Sequence, residues 1–469
     1  LMIILGTNSI KDTGYDVANS CRFNPGDNPS LKRTAGSTTQ NTSFVFSCWV
    51  KQANSGDSCL FSGGSDSNNY GYLAFAPNGS LNYREVHSGT AKTLTSNAKY
   101  KDYTAWYHIY VQTDLGQSTA SNRVRIWVNG SEITSWSSAT YPDQDSESRF
   151  KQTGTNFQKV GDVSGSTDDL VMRGYMAEVV YIDTTSSNDY NGVPVTDFGE
   201  YDEDTPTVWK PKDVSGLQSS KGDTGFYLDF EDSSNLGNDV WGGTDFTEDN
   251  ITATDQSTDT CTNNFATLNP LIYTSSAITY SEGNLKASYP GAWVSSNGTI
   301  GVQSGKWFWE AKVSATNDNN LFYGISICNI DPDTTPYTQT GVICQLVNGD
   351  RYIDGSYSAS AATTLTTNDI LGVALDLDSG TKTVKFYKNG SLLASSSSIN
   401  LTSNFDNEFV FPFFSGNSSS GSSIWELNFG SPPYSESGGN SDGNEYGNFS
   451  ASVPANHYCL NTKNLAEYG

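Results

Sequence analysis

The sequence predicts an all-β chain built as two antiparallel β-sandwich domains joined by a polar connector. Three observations predict it. Short alternating or continuous apolar runs bounded by Gly, Asn, Asp and Ser recur throughout the 469 residues, while helical spacing of apolar residues is hard to find over any window of about a dozen. Aromatics make up 12% of the chain against only 16% charged residues, a balance that suits packed strands and not a disordered polymer. One hairpin text is also written twice, as Val124-Arg125-Ile126-Trp127-Val128-Asn129-Gly130-Ser131-Glu132-Ile133 and as Val384-Lys385-Phe386-Tyr387-Lys388-Asn389-Gly390-Ser391-Leu392-Leu393. Asn-Gly between alternating runs calls for a type I′ turn, whose two central residues need positive φ. Each preceding strand alternates polar with apolar, giving a solvated and a buried face, so the two halves are expected to share an architecture.

Taken in order, Leu1-Met2-Ile3-Ile4-Leu5-Gly6 reads as a first strand, too short for a signal peptide's apolar region or a membrane span. Strands follow over 43–50, 106–111, 123–128, 174–182 and 225–230. Residues 236–265, dominated by Asp, Thr, Asn, Gly and Ser, read as a connector. A second set of strands covers 306–313, 321–327, 370–377, 383–388 and 424–429. After Pro432-Pro433 the text turns to Gly, Ser, Asn and Glu, so 433–469 reads as a polar C-terminal segment leading to a further region. The expected domains are 1–235 and 266–432.

Charge narrows the partners. The chain has 26 Lys+Arg against 51 Asp+Glu, a net charge of −25, and no basic stripe, which argues against nucleic acid and anionic lipid surfaces as partners. The 7 cysteines include no C-x-x-C pair and the 3 histidines are scattered, so no zinc cluster is expected. Buried thiols are the reading for Cys48, Cys328 and Cys344, which sit in apolar runs.

The sequence carries no recognisable catalytic constellation. No E-x-D-x-E run occurs that would set two carboxylates on one strand face at the ~5–5.5 Å of retaining glycoside hydrolysis. Glu310 stands alone on its strand and is expected as an outward or salt-bridged carboxylate, while Asp229/Glu231 and Asp376/Asp378 fall where strands enter turns. Nucleophile-elbow, Walker and dinucleotide glycine motifs are absent, and His108 reads as a hydrogen-bonded core histidine. The protein is therefore expected to be no enzyme, with no catalytic residue, cofactor or metal ligand. Calcium is the one cation that acidic loops such as Asp143/Asp145/Glu147, Asp168/Asp169 and Asp331/Asp333 suit, though none has EF-hand spacing. What remains is recognition. Sugars offer apolar CH faces and hydroxyls, matched by Tyr or Trp platforms beside amides, and the candidate ligand-binding residues are Trp136, Tyr141, Tyr337, Arg351, Tyr352 and Tyr357.

Phe46-Ser47-Cys48-Trp49-Val50-Lys51, Trp106-Tyr107-His108-Ile109, Ile126-Trp127-Val128-Asn129-Gly130 and Gly174-Tyr175-Met176-Ala177-Glu178-Val179 stand in the order of the strand motifs of the concanavalin A-like, laminin-G type jelly roll. Residues 1–235 resemble that family. Gly305-Lys306-Trp307-Phe308-Trp309-Glu310, Tyr323-Gly324-Ile325, the hairpin through Asn389-Gly390, and Phe411-Pro412-Phe413 make residues 266–432 resemble a SPRY domain. The two in this order, with Trp209-Lys210-Pro211-Lys212 and Asn264-Phe265-Ala266-Thr267-Leu268-Asn269-Pro270 between them, are similar to virion proteins of tailed bacteriophages, called tail fibre or tail-associated proteins. That resemblance implies a location on the virion surface, outside the cell, and free thiols, since such proteins fold in a reducing cytosol. Its implied partners are a host-surface glycan or receptor, other virion proteins and further copies of the chain. The expected function is non-enzymatic recognition of host glycan or protein through sandwich loops. Two alternatives stay open: a purely structural assembly protein whose sandwiches pack against other copies, for instance by strand exchange through Leu1 to Gly6, and a glycan depolymerase with carboxylates from distant strands.

Overall fold

A computed structural model of the protein describes residues 14–34, 36–38, 41–151, 157–163, 170–183, 192–272, 274–316, 320–360, 363–393, 398–418 and 423–469. The strand expected over Leu1 to Gly6 lies outside them. The architecture is all-β, and the described residues contain one α-helix, α1 (Thr462–Tyr468). The chain divides into two compact units, 14–262 and 263–469 among the described residues.

Each unit is a sandwich of two antiparallel sheets made from twelve principal strands. In the first unit these are β1 (Ser20–Phe23), β2 (Ser30–Thr34), β3 (Ser43–Gln52), β4 (Ser58–Asp66), β5 (Asn69–Phe75), β6 (Leu81–His87), β7 (Thr90–Ser96), β8 (Tyr107–Asp114), β9 (Val124–Val128), β10 (Ser131–Glu132), β11 (Phe157–Val160) and β12 (Gly174–Ile182). In the second they are β13 (Lys286–Tyr289), β14 (Val294–Asn297), β15 (Lys306–Thr316), β16 (Leu321–Ile327), β17 (Val342–Leu346), β18 (Asp350–Ile353), β19 (Ser356–Ser360), β20 (Ile370–Asp376), β21 (Thr383–Lys388), β22 (Ser391–Leu392), β23 (Val410–Gly416) and β24 (Ser423–Asn428). The first unit's back sheet runs β1-β12-β3-β8-β9-β10 and its front sheet β2-β11-β4-β5-β6-β7; the second unit's run β13-β24-β15-β20-β21-β22 and β14-β23-β16-β17-β18-β19. The two orders are the same, strand for strand.

The repeated hairpin is where the sequence enforces this plan. Asn129 and Gly130 take φ of 48° and 74°, Asn389 and Gly390 take 47° and 77°, as a type I′ turn requires. Each asparagine then clasps the neighbouring strand. Asn129 Oδ1 accepts from the His108 amide at 2.7 Å, and Asn389 Oδ1 from the Ile370 amide at 2.8 Å. The asparagine main-chain N–H returns to the carbonyl of the same residue, at 2.9 Å to His108 and 2.8 Å to Ile370. Between the sheets, Phe44, Phe46, Cys48 and Val50 of β3 fill one core, and Trp307, Trp309, Ala311 and Val313 of β15 fill the other. Every residue of β3 is buried, because both faces of its sheet are covered, so apolar residues stand on both faces, as Phe44-Val45-Phe46 and Cys48-Trp49-Val50.

What covers the back sheets corrects the expected domain limits. In the first unit Phe198, Trp209, Val214 and Trp241 pack on the outward-facing Val45, Trp49, Tyr110 and Val180. Trp209 donates to His108 Nδ1 at 3.0 Å, which leaves Nε2 as the donor to Ser47 Oγ at 2.8 Å. Burial pushes His108 down to about 3, so it stays neutral in the core, as expected of it. Asp259 closes the cover, bound to Lys51 Nζ at 2.7 Å and Trp106 Nε1 at 3.1 Å. Residues 236–262, expected as a connector, thus belong to the first unit: Leu236, Trp241, Phe246 and Ile251 are buried, Gln256–Ser257 pairs with β1 and Thr247–Asp249 with β2. Their polarity builds turns. Asp239 Oδ1 accepts from the Tyr227 and Trp241 amides at 3.1 Å, and Asp245 Oδ1 from the Asp239 amide at 2.9 Å.

The segment 433–469 behaves likewise in the second unit. Phe449 and Cys459 pack with Phe265 against Phe308 and Ala374 on the back sheet, and Tyr458–Cys459 pairs with Trp307–Phe308 of β15. Glu310, expected outward or salt-bridged, is wholly buried instead and anchors this cover, its Oε2 accepting from the Ser450 amide at 2.9 Å and its Oε1 from the Ala451 amide at 3.0 Å. Burial outweighs these donors and pushes Glu310 up to about 7. The seven cysteines form no disulfide, and all but Cys328 are buried.

Candidate functional site

With both back sheets covered by their own chain, the front sheets and their edges present the candidate aromatics. In the second unit Phe322 of β16, Val342 and Cys344 of β17 and Phe413 of β23 form an outer apolar layer, against which Trp293, Tyr337 and Tyr352 pack. The rings run on in sequence: Phe322 lies 5.9 Å from Tyr337, Tyr337 lies 5.0 Å from Tyr352, and Tyr352 meets Tyr357 of β19 edge-on at 5.7 Å. Exposure rises along this run, from wholly buried Phe322 to Tyr357 at 60%. Such a row is inexpensive to preorganise, since each ring is held by the one beneath it.

Tyr337 sits in a short 3₁₀ turn, Pro336–Thr338, whose loop is held by Gln339. Gln339 accepts from the Asp331 amide at 2.8 Å and donates to the Asp331 and Thr334 carbonyls at 3.0 Å. Asp331 also takes the Thr334 hydroxyl at 2.7 Å, a bond that leads its pull below the usual carboxylate range, and Asp333 receives the Ser275 amide at 2.7 Å. These carboxylates, read as calcium candidates, are thus engaged within the protein, Asp331 bracing its own loop and Asp333 tying that loop to Ser275. Asp143 pairs with Lys92 at 2.7 Å, while Asp168 and Asp169 lie outside the described residues. Among the described residues no three His, Cys, Asp or Glu side chains converge as a cation site.

Arg351 does not join the row. Tyr352 packs on the outer layer and Ile353 on the inner core, so Arg351, aligned with the buried Gln345, takes the inner side by strand alternation. Trp293, which sequence reasoning missed, stands alone in a Pro-Gly-Ala-Trp turn where no periodicity marks it.

In the first unit Trp136 and Tyr141 are brought together. The chain leaves β10, crosses to the front sheet and pairs as Trp136–Ala139 with β7. Both rings rest against the core edge and line an open cleft of about 430 Å³ with Arg125, Glu132 and Ile133. Arg125 grips Glu132 at two points, 2.8 and 2.6 Å. A second cleft of about 420 Å³, lined by Tyr100, Tyr107 and Asn129, shares Glu132, Ile133 and Thr134 with the first.

Other buried carboxylates serve the fold. Glu85 takes the Ser148 hydroxyl at 2.9 Å and His87 Nε2 at 2.8 Å. Glu178, at φ 51° in the bulge of β12, receives the Tyr227 hydroxyl at 2.9 Å, and burial pushes it up to about 8.

Two sandwiches with aromatic edges define the class: β-sandwich modules of the binding or scaffold kind. Residues 25–178 match the concanavalin A-like lectin/glucanases superfamily and residues 306–431 match the SPRY domain, so the chain carries a laminin-G-type domain followed by a SPRY domain. Solved structures similar to it include the SPRY domain of human HERC1 (19% identity, 30% of this chain and 87% of that one, TM-score 0.25). Another is a native heptameric SAP-like pentraxin from Limulus polyphemus (11% identity, 38% of this chain and 82% of that one, TM-score 0.28). No curated protein matches the chain.

Proposed function

We propose that this is a non-enzymatic, fibre-like surface protein of a tailed-bacteriophage virion that recognises a host-surface glycan through its front-sheet aromatics. The run Tyr337, Tyr352 and Tyr357 carries this reading, because fixed rings that emerge progressively into solvent match the stacked CH faces of a sugar chain. The phage setting rests on the laminin-G-like and SPRY domains occurring in this order. A virion protein meets its ligand outside the cell, among other virion proteins and further copies of itself, and a net charge of −25 favours solubility there. A glycan array probed with the full chain, with and without calcium, tests the reading. Binding to a defined sugar class, weakened about tenfold or more by Tyr352→Ala, is the expected result. An array left blank, with a host surface protein captured through the same tyrosines, would move the ligand from glycan to protein.

A second reading, structural assembly, has one observation in its favour. In the first unit the front-sheet edge at β7 is covered by Trp136–Ala139, but in the second the chain after β22 pairs Ile399–Asn400 with β21, and β19 ends its sheet among the described residues. A bare edge of Ser, Tyr and Ala invites strand addition from another copy. Mass in solution tests it: a discrete oligomer broken by Ser358→Pro is expected, and a monomer at high concentration would remove it.

A further inference from the structure

The crossover from β10 to Trp136 lies between two clefts that meet on its own residues and differ at their far ends. One, of about 420 Å³, is walled by Tyr100 and Tyr107; the other, of about 430 Å³, by Trp136 and Tyr141. Each falls within the ~300–1,000 Å³ usual for small-molecule sites. The ridge between them is Glu132, Ile133 and Thr134, of which Glu132 and Thr134 are exposed.

Three properties narrow the occupant. Among the described residues, the only charged side chains lining the clefts, Arg125 and Glu132, hold each other in a two-point ion pair, so this lining presents no net charge in a chain of −25. An anionic polymer would be repelled by the chain as a whole and find no free cation here, and a cationic one would have to break the pair. The aromatic rings are preset: all four pack against the core, and Tyr100 and Tyr107 brace one another edge-on at 5.6 Å. Two main-chain groups of the crossover are spent within the chain, the Ile133 amide on the Ile126 carbonyl at 2.8 Å and the Ser135 carbonyl on the Asn97 amide at 3.2 Å, so side chains and not these groups present the groove's free polar surface.

We infer that the two clefts form one groove that binds a neutral, linear polysaccharide by its internal units, one stretch stacked on Trp136 and Tyr141 and the next on Tyr107, with the chain crossing over Thr134. The inference rests on the reading of the protein as a glycan binder but places the ligand on a different unit from the tyrosine run, so the two fail separately. It also assigns the Arg125–Glu132 pair a role: a fixed hydrogen-bonding post at the ridge for sugar hydroxyls.

Affinity electrophoresis of the full chain in native gels containing galactomannan, hydroxyethylcellulose, alginate or gelatin tests it. Retardation by a neutral polysaccharide and not by alginate is expected, weakened about tenfold or more by Trp136→Ala. Thr134→Trp, on an exposed ridge residue that leaves the core untouched, blocks the crossing and abolishes retardation, while Leu392→Ala, at an exposed residue of the second unit outside both aromatic sites, preserves it. Competing oligosaccharides should gain strength from two to six sugar units. Retardation unchanged in both groove variants but lost in Tyr352→Ala would overturn the groove and uphold the tyrosine run. Retardation by gelatin alone, or by alginate in preference to the neutral polymers, would also overturn it.

Discussion

The two units are one strand plan with different fates at the same edge. Both make the Asn-Gly turn, both clasp the neighbouring strand with the asparagine, and in both the polypeptide after the last sandwich strand returns to seal the back sheet. They part after that hairpin. In the first unit the chain crosses to close the front sheet with Trp136–Ala139 and creates a groove beneath the crossing; in the second it stays on the back sheet and leaves β19 as an edge with Tyr357 on it. The lesson is that the shared plan fixes which faces are unavailable, and a short connection decides whether the remaining face becomes a cleft or a platform.

The largest expected break in this comparison is at the covers. Trp209→Ala empties a buried site and removes the donor to His108, so it should destabilise the first unit by about 3–5 kcal/mol, read as a lowered urea midpoint for that unit only. Glu310→Ala takes the acceptor from the half-buried Ser450 and Ala451 amides and should cost the second unit about 2–3 kcal/mol by the same assay. Equal losses in both units for either variant would contradict the assignment of each cover to its own unit.

The two buried carboxylates sharpen the comparison through pH. Folding raises Glu310 to about 7 and Glu178 to about 8 from an ordinary 4.5, so each folded unit holds a proton that its unfolded chain releases. Their stabilising contribution is full below about 4.5 and fades as pH rises through 7 for the second unit and through 8 for the first. Urea midpoints followed from pH 5 to 9 should fall together from the acid side, the second unit's levelling off near 7 and the first unit's near 8, and Glu178→Gln should flatten the first unit's curve alone.

Smaller effects test the equivalence itself. Asn129→Ala and Asn389→Ala each place a side chain with no local hydrogen bond at positive φ and lose the clasp, costing about 1–2 kcal/mol. Similar losses support one plan; a loss confined to one unit would deny it. Tyr357→Ala, at an exposed edge, should change stability by less than about 0.5 kcal/mol while weakening ligand binding.

Much of this was legible in the sequence. Alternation marks β9 and β21, and a positive-φ dipeptide marks each turn, because those signals are local. The covers were not legible. Trp241, Phe246 and Ile251 are isolated among turn-forming aspartates, and their burial depends on strands far away in sequence. Tyr337, Tyr352 and Tyr357 could be nominated as loop aromatics, but their contact arises only when β17, β18 and β19 pair. Arg351 shows the converse: adjacency to Tyr352 looks like proximity in text and becomes opposition on a strand.

The most direct test of the account is hydroxyl-radical footprinting of the full chain with and without a bound polysaccharide from the host surface. Protection confined to front-sheet aromatics, Tyr352, Tyr357 and Trp136, with the exposed back-sheet and cover residues Leu392 and Val240 unchanged, is the predicted result. Protection at Leu392 or Val240 with the three aromatics still reactive would contradict it.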